Sequence, residues 1–406
     1  MSTIDAKNML DATTLAVTGN EAVAEAMRQI DPDVVCAYPI TPQTEVVQIY
    51  AQMVADGKVQ SEFVTVESEH SAMSAVIGSA AGGARTMTAT SSQGYALMWE
   101  VLFVAASYRL PVVMTTVNRA LSGPINIHCD HSDTMGGRDT GWIQLYGENH
   151  QEAYDNCIMA VKIAEHMDVR TPAMGMLDGY VISGAIGPLQ MLSDDAVQQF
   201  IGPYRAVNPM LDSKHPVTVG PFDGLHGWYF EHKVSQNRAL DRSMTVIQDV
   251  ANEYAELSGR QYGPLDAYRL EDAEIAIVVV GSTAGTTRTV VDKLRAKGVK
   301  AGMVRVRVFR PFPHEAYAKA LEHVKVIGVM DRADSFGAQG GPVFLEIRAA
   351  LYDNDPRPQV VPFIYGLGGR DIFPDNIEQA FAVLESANEA GTRLSTERRY
   401  LNLRED

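Results

Sequence analysis

Two hydrophobic periods alternate along the first half of the chain. Short apolar runs are separated by longer stretches whose apolar residues recur three and four apart, the signature of β–α–β units around a parallel sheet. Asn20 stands where it can cap an amphipathic helix over Glu21–Ile30, and a buried strand follows over Val34–Tyr38 until Pro39 and Pro42 stop it. The unit recurs as a strand over Phe63–Val66, a small-residue helix over His70–Ala81 and a strand over Thr86–Thr90. A helix around Tyr95–Ala106 and strands over Val112–Val117 and Ala173–Leu177 continue it. Each strand ends in polar residues. Open parallel sheets bind ligands beyond the carboxyl ends of their strands, so these loops should converge on one crevice.

The pattern breaks over Gln199–Lys233, a stretch rich in proline, glycine, histidine and aromatic residues, and resumes as a helix over Thr245–Leu257. The polar sequence after it predicts a domain seam near Tyr268. Beyond the seam, Ile275–Val280, Val304–Val308, Val326–Met330 and Val360–Ile364 read as strands between helices. A doubly wound α/β domain over residues 1–267, with a connector or excursion at about 199–267, is therefore expected before a smaller α/β domain over 268–406. The length agrees, because 406 residues exceed the roughly 250–300 at which one hydrophobic core stops growing.

Charge narrows the function classes. A net charge of −16 repels phosphate backbones and anionic membranes, so neither nucleic acid nor a membrane is an expected partner. The apolar runs fall far short of the roughly 18 residues a membrane span needs. Three scattered cysteines, Cys36, Cys129 and Cys157, supply neither a disulfide framework nor a zinc or iron–sulfur spacing, which fits a reducing cytoplasm. The opening MSTIDAKNMLDATT has acids and no apolar core, so no export signal is expected.

Several motifs carry chemistry, each with a plain structural alternative. Gly281–Gly285 follows a strand and opens a helix, a geometry that cradles phosphate, yet it lacks the Walker lysine and reads first as a tight turn. In Tyr38-Pro-Ile-Thr-Pro42 two prolines hold Thr41 at a strand end, where its hydroxyl can meet a substrate oxygen or cap a helix. Glu67 and Glu69 sit at a helix start, either as caps or as an acid able to protonate a cofactor. Arg119, just past a strand, can take a carboxylate bidentately or join a surface ion pair. Asn126–Asp133 has metal-like composition, but its spacing suits a hydrogen-bonded loop better. Arg305 and Arg307 share a face, for an anionic cofactor, an acidic partner or packing between domains.

In order and spacing these blocks resemble the α subunit of the 2-oxoacid:ferredoxin oxidoreductases, most closely the pyruvate type. The resemblance is carried by AYPITPQTE (Ala37–Glu45), VESEHSAMSAVIGSAAGGART (Val66–Thr86), TSSQGYALMWE (Thr90–Glu100), NRALSGPINI (Asn118–Ile127) and DHSDTMGGRDTGWIQLY (Asp130–Tyr146). RVRVFRPFP (Arg305–Pro313), DRADSFGAQGG (Asp331–Gly341) and YGLGGRDI (Tyr365–Ile372) complete it. It implies a doubly wound thiamine-diphosphate pyrimidine-binding domain followed by a transketolase C-terminal-like domain. The cofactor would be shared with a β subunit that binds its diphosphate and Mg²⁺, because the GDG…Asn diphosphate motif is absent from this sequence, and no metal is assigned to this chain. The [4Fe–4S] clusters would lie in partner subunits of γ and δ type, in a dimer of heteromers that delivers electrons to ferredoxin or another acceptor.

The resemblance also implies roles. Glu69 would hydrogen-bond N1′ of the cofactor, with Pro39 beside the same ring; Thr41 would contact the 2-oxoacid and Arg119 its carboxylate. Coenzyme A would take the acyl group after decarboxylation, in a cytoplasmic enzyme of anaerobic metabolism. His128 and Cys129 stand where pyruvate-type members usually carry a bulky residue, and their smaller groups would leave room for a larger acyl chain. Pyruvate is the first substrate implied. A branched-chain 2-oxoacid or phenylglyoxylate, a non-catalytic interaction subunit, and a self-contained transketolase-like enzyme are the alternatives.

Overall fold

The computed structural model describes residues 10–220 and 222–404, with side chains from residue 14 onward. The opening stretch weighed for an export signal lies mostly outside these, at residues 1–9. Among the described residues no helix is long and apolar enough to cross a membrane.

The unbroken apolar run Ile275–Val280 is a strand with every residue buried, as a parallel strand covered on both faces must be. It pairs in parallel with Ala301–Val306 and Val326–Asp331, Gln359–Ile364 extends the sheet in parallel, and Leu265–Tyr268 closes the other side antiparallel. Ile275, Ile277 and Val279 pack with the helices Thr283–Ala296 and Pro374–Ala390, whereas Ala276, Val278 and Val280 face a second core shared with the first half of the chain. The seam expected at Tyr268 thus falls on the last residue of a strand that already belongs to this six-stranded sheet.

The larger sheet has seven strands in the order Val308–Arg310, Ile143–Tyr146, Ala173–Asp178, Val113–Asn118, Thr86–Thr90, Val34–Ala37 and Glu62–Thr65. All but the first run parallel, giving the expected doubly wound α/β architecture. Register pairs Thr90 with Thr116 and Asn118 with Asp178, so the carboxyl ends of the central strands stand in line along one edge. The first strand comes from the second half and stitches the halves together. Arg305 and Arg307 do the same with side chains. Arg305 grips Glu152 with both terminal nitrogens at 2.6 and 2.8 Å, and Arg307 bonds Asn156 and lies over the Tyr262 ring. Of the three uses open for these arginines, they serve packing between the halves.

Some elements differ from expectation for identifiable reasons. Thr18, not Asn20, caps the first helix, Gly19–Ile30: Thr18 Oγ1 accepts from Glu21 N while the Glu21 carboxylate accepts from Thr18 N, a reciprocal box that satisfies two end donors. Asn20 is thereby free to donate to the Pro42 carbonyl at 2.9 Å and to Glu45 at 3.0 Å, tying that helix to the Tyr38–Pro42 loop. The single helix expected around Tyr95–Ala106 is two, Ser92–Leu97 and Trp99–Ser107, meeting at Met98. The helix expected over Thr245–Leu257 runs from Tyr229 to Ser258; its first turns are exposed and carry no apolar stripe to read. His150–Glu165 was not anticipated, because a helix buried on nearly every side has no amphipathic period.

Candidate active site

Arg119 follows the strand Val113–Asn118 and is almost wholly buried. Its Nε donates to the Asn126 carbonyl at 2.9 Å and its Nη1 to the Thr41 carbonyl at 2.9 Å. Burial lowers its pKa, yet a guanidinium remains a cation in a protein. Among the described residues its guanidinium bonds neutral carbonyls only, so its charge is left for an anion. Arg119 and Thr41, far apart in sequence, therefore meet. Thr41 is not a cap, since the helix Thr44–Ala55 starts after Gln43; its side chain stays exposed, as does Pro39.

Glu69 is the first residue of the helix Glu69–Gly82, and the cap is supplied by Ser68, whose Oγ accepts from Ser71 N at 3.2 Å. Glu67 accepts from the Ser71 hydroxyl. With capping served by these neighbours, the buried Glu69 carboxylate has no side-chain hydrogen-bond partner among the described residues, and burial pushes its pKa up. The helix Ser92–Leu97 approaches it closely at Gly94. A Cβ on Gly94 would lie 2.6 Å from Glu69 Oε1 and 2.6 Å from Thr90 Oγ1, an approach only glycine allows. Thr90 Oγ1 is itself buried without a partner among the described residues. A buried acid with no side-chain partner beside a buried hydroxyl with none fits a polar heteroaromatic ring such as an aminopyrimidine, which supplies both donors and acceptors.

Asp133 connects the two parts. Its fully buried carboxylate accepts from Arg119 N at 3.0 Å, Ser92 N at 3.1 Å, Asn118 Nδ2 at 2.8 Å and Thr134 N at 2.7 Å. Burial raises its pKa to about 6 against the pull of these donors. One side chain thus fixes both the residue carrying the guanidinium and the start of the helix that faces Glu69. Ser92 holds φ +46, an unusual conformation for a non-glycine residue. The sequence around Asp133 reads as a hydrogen-bonded loop and gives no sign of this role beyond its acidic neighbours; Asp133 instead lies in the short helix Ser132–Gly136.

The loop around Asp133 also meets the second half. Asp130 Oδ2 accepts from Gly368 N at 2.9 Å, and Asn126 Nδ2 donates to the Gly368 carbonyl at 2.9 Å. Asp178 binds His131 Nε2 at 2.8 Å, Arg332 Nη1 at 2.9 Å and the Ser282 hydroxyl at 2.6 Å. Burial pushes the Asp178 pKa up, but His131, Arg332 and Ser282 outweigh it and hold the carboxyl below its usual range. Polar atoms of Cys129, His131 and Asp178 lie within 4.8 Å of one another, and Arg332 supplies the positive charge there. The Gly281 turn is shaped around Asp178 too, since a Cβ on Gly281 would sit 2.7 Å from its carboxylate. That turn is a tight strand-to-helix connection holding an acid. Cys129 is buried at the junction, its thiol pushed well above its ordinary range by burial, whereas His128 is exposed.

The family description "Pyruvate flavodoxin/ferredoxin oxidoreductase, thiamine diP-bdg" matches residues 25–252, and "Pyruvate:ferredoxin oxidoreductase core domain II" matches 273–377. The pyruvate synthase subunit PorA of Thermotoga maritima is 53% identical over 391 residues, covering 96% of this chain and 98% of that protein. PorA of Methanocaldococcus jannaschii is 44% identical, covering 93% and 96%. The ketoisovalerate oxidoreductase subunit VorA of Pyrococcus abyssi is 41% identical, covering 92% and 94%. In fold, the chain is similar to 2-oxoglutarate:ferredoxin oxidoreductase from Magnetococcus marinus, solved with 2-oxoglutarate, coenzyme A and succinyl-CoA bound. The TM-score is 0.68 at 20% identity, over 91% of this chain and 65% of that one.

Proposed function

Since the chain belongs to the pyruvate flavodoxin/ferredoxin oxidoreductase family, we propose that it is the subunit that grips the aminopyrimidine ring and the 2-oxoacid in a thiamine-diphosphate-dependent 2-oxoacid:ferredoxin oxidoreductase, with pyruvate as substrate. The observation that carries this reading is the Asp133 carboxylate, which holds Arg119 and the Ser92–Leu97 helix opposite Glu69 in one hydrogen-bonded unit.

Thiamine diphosphate, when bound, supplies the carbon nucleophile and the electron sink that decarboxylation needs. Glu69 holds a proton against the ring nitrogen; burial and the lack of another partner keep that carboxyl ready to share it. Arg119 pairs with the carboxylate of the acid through the part of its fork not bonded to Asn126 and Thr41. The exposed Thr41 hydroxyl meets the carbonyl oxygen, and Pro39 shapes the loop beside the ring.

Other parts of the reading lie outside this chain. A β-type subunit holds the diphosphate and Mg²⁺, iron–sulfur subunits of γ and δ type carry [4Fe–4S] clusters to ferredoxin, and coenzyme A takes the acyl group. The lack of any cluster-type spacing among Cys36, Cys129 and Cys157 supports placing cluster ligands elsewhere. The pyrimidine-binding unit runs up to Pro264, and the transketolase C-terminal-like unit begins with the strand Leu265–Tyr268, in a cytoplasmic dimer of heteromers. Coexpression with the genes beside it, followed by viologen reduction with pyruvate, tests this: the complex reduces dye only with coenzyme A present, and this chain alone does not. Decarboxylation by the homogeneous single chain contradicts the divided site.

A further inference from the structure

Tyr180 was not among the residues singled out in the sequence, and the structure delivers it to the junction of Thr41 and Arg119. It follows Gly179, the residue after the strand Ala173–Asp178. Gly179 N donates to the Asn118 carbonyl at 3.1 Å, and a Cβ on Gly179 would lie 2.4 Å from that oxygen and 2.9 Å from Pro42 Cγ. Asn118 precedes Arg119 and Pro42 follows Thr41, so the chain is pressed against both residues at once. Tyr180 then adopts φ +60, uncommon for an aromatic residue, and its N–H is held by Ser183 Oγ at 2.8 Å. The turn is fixed further by Gly19 N on the Ile182 carbonyl and Asn20 N on the Ser183 carbonyl, each at 3.0 Å.

This conformation puts the Tyr180 ring against His128, with centroids 5.4 Å apart. His128 is set from the other side: its carbonyl accepts from Ala120 N at 3.0 Å, and its Cβ lies where a Cβ on Gly369 would fall, 2.2 Å away. The two residues line a cleft of about 370 Å³ that faces Ser282, Arg332 and Ile372 of the second half, while Asn126, which accepts from Arg119 Nε through its carbonyl and from His128 N through its side chain, ties the pair to Arg119 on the other side. We infer that Tyr180, paired with His128, determines which 2-oxoacid the site accepts, forming a wall beside Arg119 and Thr41 that admits a small acyl group and excludes branched or aromatic ones.

This inference rests on the assignment of the acid's carboxylate and carbonyl to Arg119 and Thr41. With both oxygens engaged there, the remaining substituent is the acyl chain, and the paired rings flank it. A hydrophobic wall discriminates by roughly 10- to 200-fold per methylene.

The test uses the whole coexpressed complex and compares kcat/KM for pyruvate, 2-oxoisovalerate and phenylglyoxylate. Tyr180→Gly removes the ring and keeps the backbone, since glycine adopts a positive φ freely. The ratio of 2-oxoisovalerate to pyruvate should rise at least ~10-fold, and Tyr180→Phe should retain the wild-type ratio. His128→Ala, at an exposed loop position, should shift the ratio in the same direction and serves as the second variant if Tyr180→Gly fails to assemble. Unchanged ratios in Tyr180→Gly, or in His128→Ala where only that variant assembles, overturn the inference, as does a wild-type preference for the branched acid. Failure of the underlying assignment has a different signature: Arg119→Lys would leave the KM for every 2-oxoacid unchanged.

Discussion

Arg119 donates from Nη1 to the carbonyl oxygen of Thr41 across 2.9 Å, joining two loops that follow different strands of one sheet. A buried guanidinium bonded only to neutral oxygens is an electrostatic demand for an anion. Lysine has a single point of charge and no fork, so Arg119→Lys cannot hold the Asn126 and Thr41 carbonyls and a carboxylate together. Loss of a charged hydrogen bond costs about 1.5–3 kcal/mol, so kcat/KM for pyruvate should fall roughly 10- to 150-fold, mostly through KM. Steady-state kinetics of the assembled complex measure this; an unchanged KM removes Arg119 from carboxylate binding.

Asp133→Asn keeps the shape of the side chain and replaces one carboxylate oxygen, which accepts from two of the four N–H donors, with an amide NH2 that cannot accept. Each donor left unpaired costs about 1–3 kcal/mol, so both midpoint of unfolding and activity should drop. The pH dependence follows from burial. The folded carboxyl, raised to about 6, lies above the unfolded value of about 3.9, so the folded state binds more protons between the two. Its contribution is fully present below the unfolded pKa and is lost as pH rises through about 6. Urea titrations at several pH values should therefore show the advantage of wild type over Asp133→Asn growing as pH falls from about 6 towards about 4. A difference that is flat across this range contradicts the buried titration.

Arg305 joins the second sheet to the helix His150–Glu165 by its bidentate grip on Glu152 and a 3.1 Å contact with Glu148. Replacing it with methionine strands the buried Glu152 carboxylate, whereas Glu148 keeps Arg288, and breaking one side of such a pair costs about 3–5 kcal/mol. Pairing Arg305→Met with Glu152→Gln should recover part of the loss. Denaturant unfolding of both variants checks this, and equal stability of single mutant and wild type would show that the contact does not hold the halves together.

Much of the framework is legible in sequence because it is written in local patterns. The run Ile275–Val280 has no polar residue and can only be a doubly covered strand; the polar residues ending each strand announce the crevice edge. What was not legible depends on distant partners. Nothing near Asp133 says that its carboxylate will meet Ser92, 41 residues away, and nothing near Arg305 names Glu152, 153 residues away. The antiparallel pair Leu10–Thr18 with Ile186–Leu192 is hidden for the same reason. The Thr18 cap is different: Thr and Glu three apart spell a capping box that Asn20 obscured. Glu69 and Thr41 stand out through family resemblance, since their own spacing favours caps; capping falls instead to Ser68, and Thr41 stays exposed.

Glu69, buried beside Gly94 with no side-chain partner among the described residues, is the acid this chain contributes to a divided site. Glu69→Gln preserves size and removes the shared proton. The deciding measurement is coenzyme A-dependent viologen reduction with pyruvate by the coexpressed complex carrying Glu69→Gln, alongside its elution volume on a sizing column. The account predicts an assembled complex with turnover reduced by about 10²–10⁴-fold. An assembled complex that turns over pyruvate at the wild-type rate contradicts it.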